Sequence, residues 1–180
     1  MKHVGKGYKK IDSAMILSGR AVYTEDLVPA HALVIKVLRS PHAFARIVTI
    51  DTAAAMRVPG VVAIYTYKDV PQRRFTLAGQ SYPEPSAYDK LLLEPLVRYV
   101  GDEVAFVVAE SEKAAKQAMW LIKVTYDVLE PVLDIHTALD HPSVVHPEED
   151  LHYNFPVGGD PKRNLACSYN HVVGDVEGEL

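Results

Sequence analysis

The chain has 180 residues, of which 48% are hydrophobic and one is a cysteine, and its formal net charge is −4. The length predicts one domain, or one domain plus a short extension, and the composition is typical of a globular protein. It argues against nucleic-acid binding, which needs a basic face, and one thiolate cannot hold an internal disulfide or an iron–sulfur cluster. No run approaches ~18 consecutive apolar residues, and the basic N-terminus lacks an apolar signal core, so we expect a cytoplasmic protein without a membrane span.

The first half of the chain predicts one strand–helix–strand unit after an irregular N-terminal segment. Branched apolar residues favour strands, and Asp51 and Thr52 are suitable N-caps for a short helix that Pro59 then stops. The predicted elements in chain order are an irregular segment at 1–20, strands at 32–38 and 45–50, a helix at 53–57 and a strand at 61–66.

A second strand–helix–strand unit follows a long loop at 71–96 that contains four prolines. Loops of this length in compact domains are usually functional or ordered by a partner. Ser111 can cap the second helix, on which Ala114, Ala118 and Ile122 share one face. The predicted elements are a strand at 103–109, a helix at 112–122, a strand at 123–128 and a helical turn at 135–139.

The predicted fold class is α+β (mixed α/β), with two main helices packed on a mixed sheet. The amino-acid composition changes after His141, where prolines, glycines and acidic residues dominate. We therefore expect a domain over residues 21–140 and, at 141–180, a linker that leads toward a further domain.

Three histidines, His141, His146 and His152, lie near acidic residues at 148–150. Imidazoles and carboxylates bind zinc and iron, but these spacings match no standard ligand motif, and an ordinary solvated loop is the simpler interpretation. The glycines at 5–7 and at 158–159 are typical of turns and not of phosphate-binding loops. We therefore assign no catalytic, cofactor-binding or metal-ligating residue.

Two polar turns flank predicted strands, and turns at strand ends often carry function. Their side chains are either hydrogen-bonded within tight turns or part of a contact surface for another domain. The second alternative predicts an interface, and its candidate residues are Arg39, Ser40, His42, Arg98 and Tyr99.

Several short sequence motifs, spread in order over nearly the whole chain, resemble motifs of the large, molybdopterin-binding subunits of the molybdenum hydroxylases. This family includes xanthine dehydrogenase, aldehyde oxidase and aerobic carbon monoxide dehydrogenase. Each motif alone is weak evidence for the family, but the order that the motifs share with the family makes the resemblance specific. The main motifs are the segment at 19–27, which ends in YTEDL, followed by VLRSPHAFARI at 37–47, VPGVV at 58–62, RYVGDEVA at 98–105 and GDVE at 174–177.

The resemblance implies the N-terminal α/β-hammerhead domain of such a subunit. In the family a molybdenum centre on a pterin inserts water-derived oxygen at carbon, and electrons leave through iron–sulfur clusters and often FAD. The family's glycine-rich cofactor loops and glutamate base lie downstream of this domain, so no catalytic residue carries over. We expect a scaffold domain, inactive alone, that binds the remainder of its subunit and the iron–sulfur and flavin subunits or domains. The alternative is a stand-alone binding module that takes a metal through its histidine-rich segment.

Overall fold

The computed structural model describes residues 2–77, 86–153, 156–174 and 178, which divide into two units at 1–32 and 33–180. In the first unit, a short helix α1 (Ser13–Leu17) is followed by a 3-10 helix (Thr24–Leu27). The Asp26 carboxylate accepts a 2.8 Å hydrogen bond from the Tyr23 amide, which closes the start of that 3-10 helix. None of the described residues of this unit is buried.

The second unit contains strands, two α-helices and two 3-10 helices. In chain order these are β1 (Val34–Arg39), β2 (Ala45–Asp51), a 3-10 helix (Ala55–Arg57), β3 (Val61–Tyr65), β4 (Ala87–Tyr88), β5 (Leu96–Val97), β6 (Glu103–Ala109), α2 (Glu112–Leu121), β7 (Lys123–Val128), α3 (Ile135–Ala138), β8 (His152–Tyr153) and a 3-10 helix (Pro161–Arg163). The predicted strands and the second predicted helix are confirmed to within two residues at each end.

The strands form two three-stranded antiparallel sheets, with orders β1-β6-β3 and β5-β2-β7. The α+β class is confirmed, but the expectation of one mixed sheet is wrong. Each predicted strand–helix–strand unit joins strands of different sheets, so its two strands never become parallel neighbours. The helix expected at 53–57 is a three-residue 3-10 helix, because Pro59 holds Val58 in extended backbone (φ −67, ψ 125) and leaves no room for a longer helix.

Helix α2 and the first sheet share an apolar core. The Ser111 hydroxyl caps the helix by accepting a 3.2 Å hydrogen bond from the Ala114 amide. Ala115 and Ala118 are fully buried because small side chains let a helix approach a sheet closely. The shared face predicted from the alanine spacing is therefore confirmed, and Ile122 at its end is buried as well.

The second sheet has its own core, which includes Ala45, Ile47, Val97 and Val104. Leu38, Ile50 and Val124 pack against both cores. These shared contacts join the two sheets into one frame.

The remaining chain folds back onto the loop before β5. Strand β4 in that loop pairs antiparallel with β8, although the sequence predicted a loop and a linker there. Asn164, in left-handed backbone (φ 55), donates its amide to Ala138 O and Ser143 O and accepts from the Val145 amide. Residues 78–85, 154–155, 175–177 and 179–180 belong to the predicted loop and linker and lie outside the described residues.

Candidate functional site

The two polar turns singled out in the sequence lie side by side, although 62 positions separate Arg39 from Gly101 in the chain. The Ser40 amide donates to Asp102 O at 2.8 Å, and the Gly101 amide donates to Ser40 O at 2.8 Å. The Arg39 guanidinium adds a 2.7 Å hydrogen bond to Gly101 O. Gly101 has φ +102, which favours glycine because a side chain is strained there. We call residues 39–44 and 98–102 together the two-turn surface.

An apolar groove of about 360 Å³ runs beside these turns. Val100 is 66% exposed and Leu133 is 81% exposed, and both line this groove. Exposed large apolar side chains gathered at one place mark contact sites more often than isolated ones do. The other lining residues are Ala43, Phe44, Arg98, Tyr99, Val132 and Val145.

The predicted residues of the first turn have different environments. Arg39 is exposed and pairs with Glu103 at 3.0 Å. Ser40 is buried, and its hydroxyl accepts a 3.0 Å hydrogen bond from the His42 amide. The His42 ring is half-buried and packs edge-on against Tyr126, with ring centroids 4.8 Å apart. Thus Ser40 and His42 shape the turn, and only Arg39 extends its side chain into solvent.

Arg98 in the second turn points inward. Its side chain is 8% exposed, and its guanidinium donates to Glu94 Oε2 at 2.7 Å, to Glu148 Oε1 and to Val145 O at 3.1 Å. Arg98 therefore ties the loop before β5 to residues 145–148 of the returning chain. Sequence reasoning missed these partners, because only the fold brings Glu148 within reach of an arginine 50 positions earlier.

A second ionic cluster, formed by Lys90, Asp102 and Glu103, stabilises the second turn. Asp102 is 3% exposed and accepts from Lys90 Nζ at 2.6 Å and from the Arg98 amide at 2.8 Å. Burial acts to lower the pKa of Lys90, but hydrogen bonds and charge attraction to Asp102 and Glu103 outweigh it and raise that pKa. Burial likewise acts to raise the pKa of Glu103, and Lys90 reverses the effect and lowers it. Both groups are therefore charged at neutral pH, and Lys90 links the loop before β5 to Asp102 in the turn.

The histidine-rich segment does not converge on a metal. Within the described ranges, no group of three or more His, Cys, Asp or Glu residues is placed to hold an ion. His141 Nδ1 accepts from the Ser143 amide at 3.0 Å, and the His152 ring stacks on Tyr88. Both rings are thus engaged in local structure.

The described residues also do not fit the family's cofactors. The chain has one cysteine, Cys167, which is exposed and cannot hold an iron–sulfur cluster. A cavity of about 670 Å³ in the second unit has no lysine or arginine among its described lining residues to receive a cofactor phosphate. The two-turn surface offers recognition through apolar contact and hydrogen bonding, and no step of a reaction is assigned to it.

The family profile described as "Aldehyde oxidase and xanthine dehydrogenase, a/b hammerhead domain" matches residues 18–130, which include both sheets, α2 and both turns. The chain belongs to this family. This match confirms the family resemblance that the short sequence motifs indicated.

Relatives place this hammerhead domain within much longer proteins. The chain is 40% identical over 198 aligned residues to the probable hypoxanthine oxidase XdhD of Escherichia coli K12, covering 97% of the chain and 21% of that protein. It is 36% identical to the xanthine dehydrogenase molybdenum-binding subunit of E. coli O157:H7, over 72% of the chain and 18% of the subunit. The chain thus spans about a fifth of these relatives.

A solved structure agrees with the fold. Quinoline 2-oxidoreductase from Pseudomonas putida 86 superposes with a TM-score of 0.63 and 36% identity, over 74% of the chain and 17% of that enzyme chain. The helices in the described part of this hammerhead chain are all too short or too polar to cross a membrane.

Proposed function

We propose that this chain is the scaffold domain of the large subunit of a xanthine dehydrogenase-like molybdenum hydroxylase, and that it carries no catalytic residue itself. The observation that carries the proposal is the family match over residues 18–130 in a chain that spans a fifth of its relatives. The complete enzyme would be a cytoplasmic oxidoreductase that holds molybdenum-molybdopterin in the remainder of the subunit. Iron–sulfur and flavin subunits or domains would be its further partners.

The two-turn surface is the proposed contact with the remainder of the subunit. Interface cores are apolar and often aromatic, and the groove presents Tyr99, Val100 and Leu133 to solvent. Arg39 would contribute a charge at the rim. Arg98 would act indirectly, because its guanidinium is already bonded within the chain and fixes the turn that carries Tyr99 and Val100.

The proposed domain limits keep the hammerhead at 21–140 and the connection toward the next domain at 141–180. The pairing of β8 with β4 gives the first part of this connection a fixed path along the domain. The chain would leave toward its next domain after that path.

The cofactor content of the purified chain tests the scaffold role. The 180-residue chain is produced in a host that makes molybdopterin, and molybdenum, iron and zinc are measured per chain. We expect none in stoichiometric amount. One molybdenum per chain would show that the cofactor ligands lie here, and one zinc or iron would favour the metal-binding module. A hydroxylase assay on the same sample is expected to show no turnover.

Docking is tested with the remainder of the E. coli XdhD relative, expressed without its own hammerhead domain. The wild-type chain and the Val100→Asp/Leu133→Asp variant are compared in a pull-down and by calorimetry. We expect at least about a tenfold loss of affinity, because interface residues that are desolvated tolerate a charge poorly. Val62→Asp is the matched control, since Val62 is 50% exposed on β3, away from the groove. Equal binding of all three chains would refute the assigned surface.

A further inference from the structure

A cavity in the second unit has a charge pattern that the scaffold role does not use. It encloses about 670 Å³, within the range of about 300–1,000 Å³ typical of small-molecule sites. Three separate stretches of chain, 86–89, 132–146 and 151–167, contribute to its lining.

The walls of this cavity are mainly apolar. Val132, Val145, Leu151, Val157 and Leu165 form much of its lining. Such walls bind hydrocarbon by removing it from water and do not select a ligand by charge. Selectivity must therefore come from the few polar side chains, of which Asp89, His146 and Tyr153 matter most.

Asp89 supplies a negative charge that has no ion-pair partner among the described residues. Its carboxylate makes no hydrogen bond or ion pair with any residue in the described part of the chain, and only its main-chain oxygen accepts, from Arg74 at 3.0 Å. Tyr153, also in the lining, has its pKa raised first by burial and then by the negative charge of Asp89. Asp89 and Tyr153 are thus two polar residues of the same lining.

The guanidinium groups of Arg74 and Arg98, which donate to the main-chain oxygens of lining residues Asp89 and Val145, are already paired with other carboxylates. Arg98 is shared by Glu94 and Glu148, and Arg74 pairs with Asp150 at 2.8 Å. Among the described residues, neither guanidinium pairs with the Asp89 carboxylate, which stays in the lining without a cation bonded to it.

His146 does not supply a positive charge either. Burial, reinforced by the nearby charge of Arg98, lowers the pKa of His146, so the ring is neutral at pH 7. Its buried Nδ1 has no hydrogen-bond partner among the described residues, nor has the buried Glu148 Oε2 that lies 3.6 Å away. A third buried atom without a partner among the described residues, Arg74 Nε, belongs to a guanidinium already held by Asp150. The Asp89 carboxylate and the unpaired Glu148 oxygen favour a ligand that brings positive charge and N–H donors.

We propose that this cavity is a binding site for a small aromatic or aliphatic amine in its cationic form. The ammonium group lies at Asp89, with His146 and Tyr153 beside it, and the hydrocarbon part packs against the apolar wall. This site does not depend on the scaffold role. Val132 and Val145 line both the cavity and the groove, but Val100 and Leu133, whose substitution tests docking, lie outside the cavity lining.

Three ligands with the same ring and different charge test the proposal: benzylamine, benzyl alcohol and benzoate. Their affinities for the full 180-residue chain are measured at pH 7 by calorimetry and ligand-observed NMR. We expect benzylamine to bind about tenfold more tightly than benzyl alcohol, a modest gain for a cation beside a partly buried carboxylate, and benzoate not to bind. Equal affinities for amine and alcohol, or no binding of benzylamine at millimolar concentration, would overturn the proposal.

Two variants and one control locate the site. Asp89→Asn is expected to bring benzylamine down to the affinity of benzyl alcohol, whereas Asp127→Asn, on the exposed side of β7, leaves the preference unchanged. Ala166→Phe adds bulk at the cavity lining and is expected to abolish binding of amine and alcohol alike. It tests the site without removing a charge, so the result stands even if Asp89→Asn fails to fold. Unchanged binding in Ala166→Phe would place the ligand elsewhere.

Discussion

Two regions of the second unit are held together by different forces. The frame, formed by the two three-stranded sheets and α2, surrounds alanine, valine, leucine and isoleucine side chains in two apolar cores. The return segment, residues 132–168, is fastened by Arg98 to Glu148, by Arg74 to Asp150, by the Asn164 amide and by the short pairing of β8 with β4. Apolar burial is non-directional, whereas these bonds each need a particular partner in a particular place.

The difference separates what makes the domain fold from what fixes the path of the chain after it. Losing an apolar contact in the frame affects every element that shares the core. Losing one ionic contact in the return segment affects the residues that this contact fastens. Each region should therefore respond to its own kind of substitution.

Val107→Asp is expected to have the largest effect. Val107 is 0% exposed in β6, the central strand of its sheet, and an unpaired buried charge costs several kcal/mol of a total stability of about 5–15 kcal/mol. We expect loss of the cooperative thermal transition, measured by circular dichroism. Val62→Asp, the same change on the half-exposed face of β3, should keep the transition. An intact transition in Val107→Asp would disprove the apolar account of the frame.

Arg98→Gln should have the next largest effect, centred on the return segment. It leaves Glu94 and Glu148, whose side chains are 6% and 18% exposed, without their shared cation. Breaking a buried ion pair by removing one partner costs about 3–5 kcal/mol. Hydrogen exchange should rise at residues 145–153 more than in β6 or α2. The same rise in both regions would mean that frame and return segment unfold as one.

Arg39→Gln is the matched control for this change. Arg39 also pairs with a carboxylate, Glu103, but its side chain is 53% exposed. Solvent screens such pairs, so the expected loss is at most about 1 kcal/mol. A loss as large as that of Arg98→Gln would show that exposure does not separate the two arginines.

The sequence predicted the frame well because its signals are local. Runs of branched apolar residues mark β1, β3 and β6, and the spacing of Ala114, Ala118 and Ile122 marks the buried face of α2. The sheet arrangement was predicted less well, since strand order depends on contacts between distant residues. Local patterns do not show that the strands flanking α2 join different sheets.

The return segment and the candidate site were predicted only in part. The sequence singled out both polar turns but gave no sign that Ser40 and Asp102 bond to each other. It also assigned Arg98 to an interface, whereas the guanidinium is used within the chain, and its role toward the rest of the subunit stays a prediction. Partners such as Glu148 follow from tertiary structure alone, because charged residues in a proline-rich stretch carry no periodic signal.

A mild pH effect should distinguish the two regions with the smallest perturbation. Burial and the charge of Arg98 hold the pKa of His146 in the return segment below its ordinary value of 6.5. Below pH 6.5 the unfolded chain therefore binds this proton more readily than the folded chain does, and stability falls as the pH drops. Glu103 and Asp69, whose pKa values lie below 4.5 and 3.8, lose their contribution to stability only at lower pH.

The free energy of unfolding, measured between pH 7.5 and 5.5, should therefore decrease for the wild type and decrease less for His146→Gln. His136→Gln, on the exposed face of α3, should follow the wild-type curve. Parallel curves for all three chains would mean that Glu148, 3.6 Å from His146, accepts the added proton charge without loss of stability.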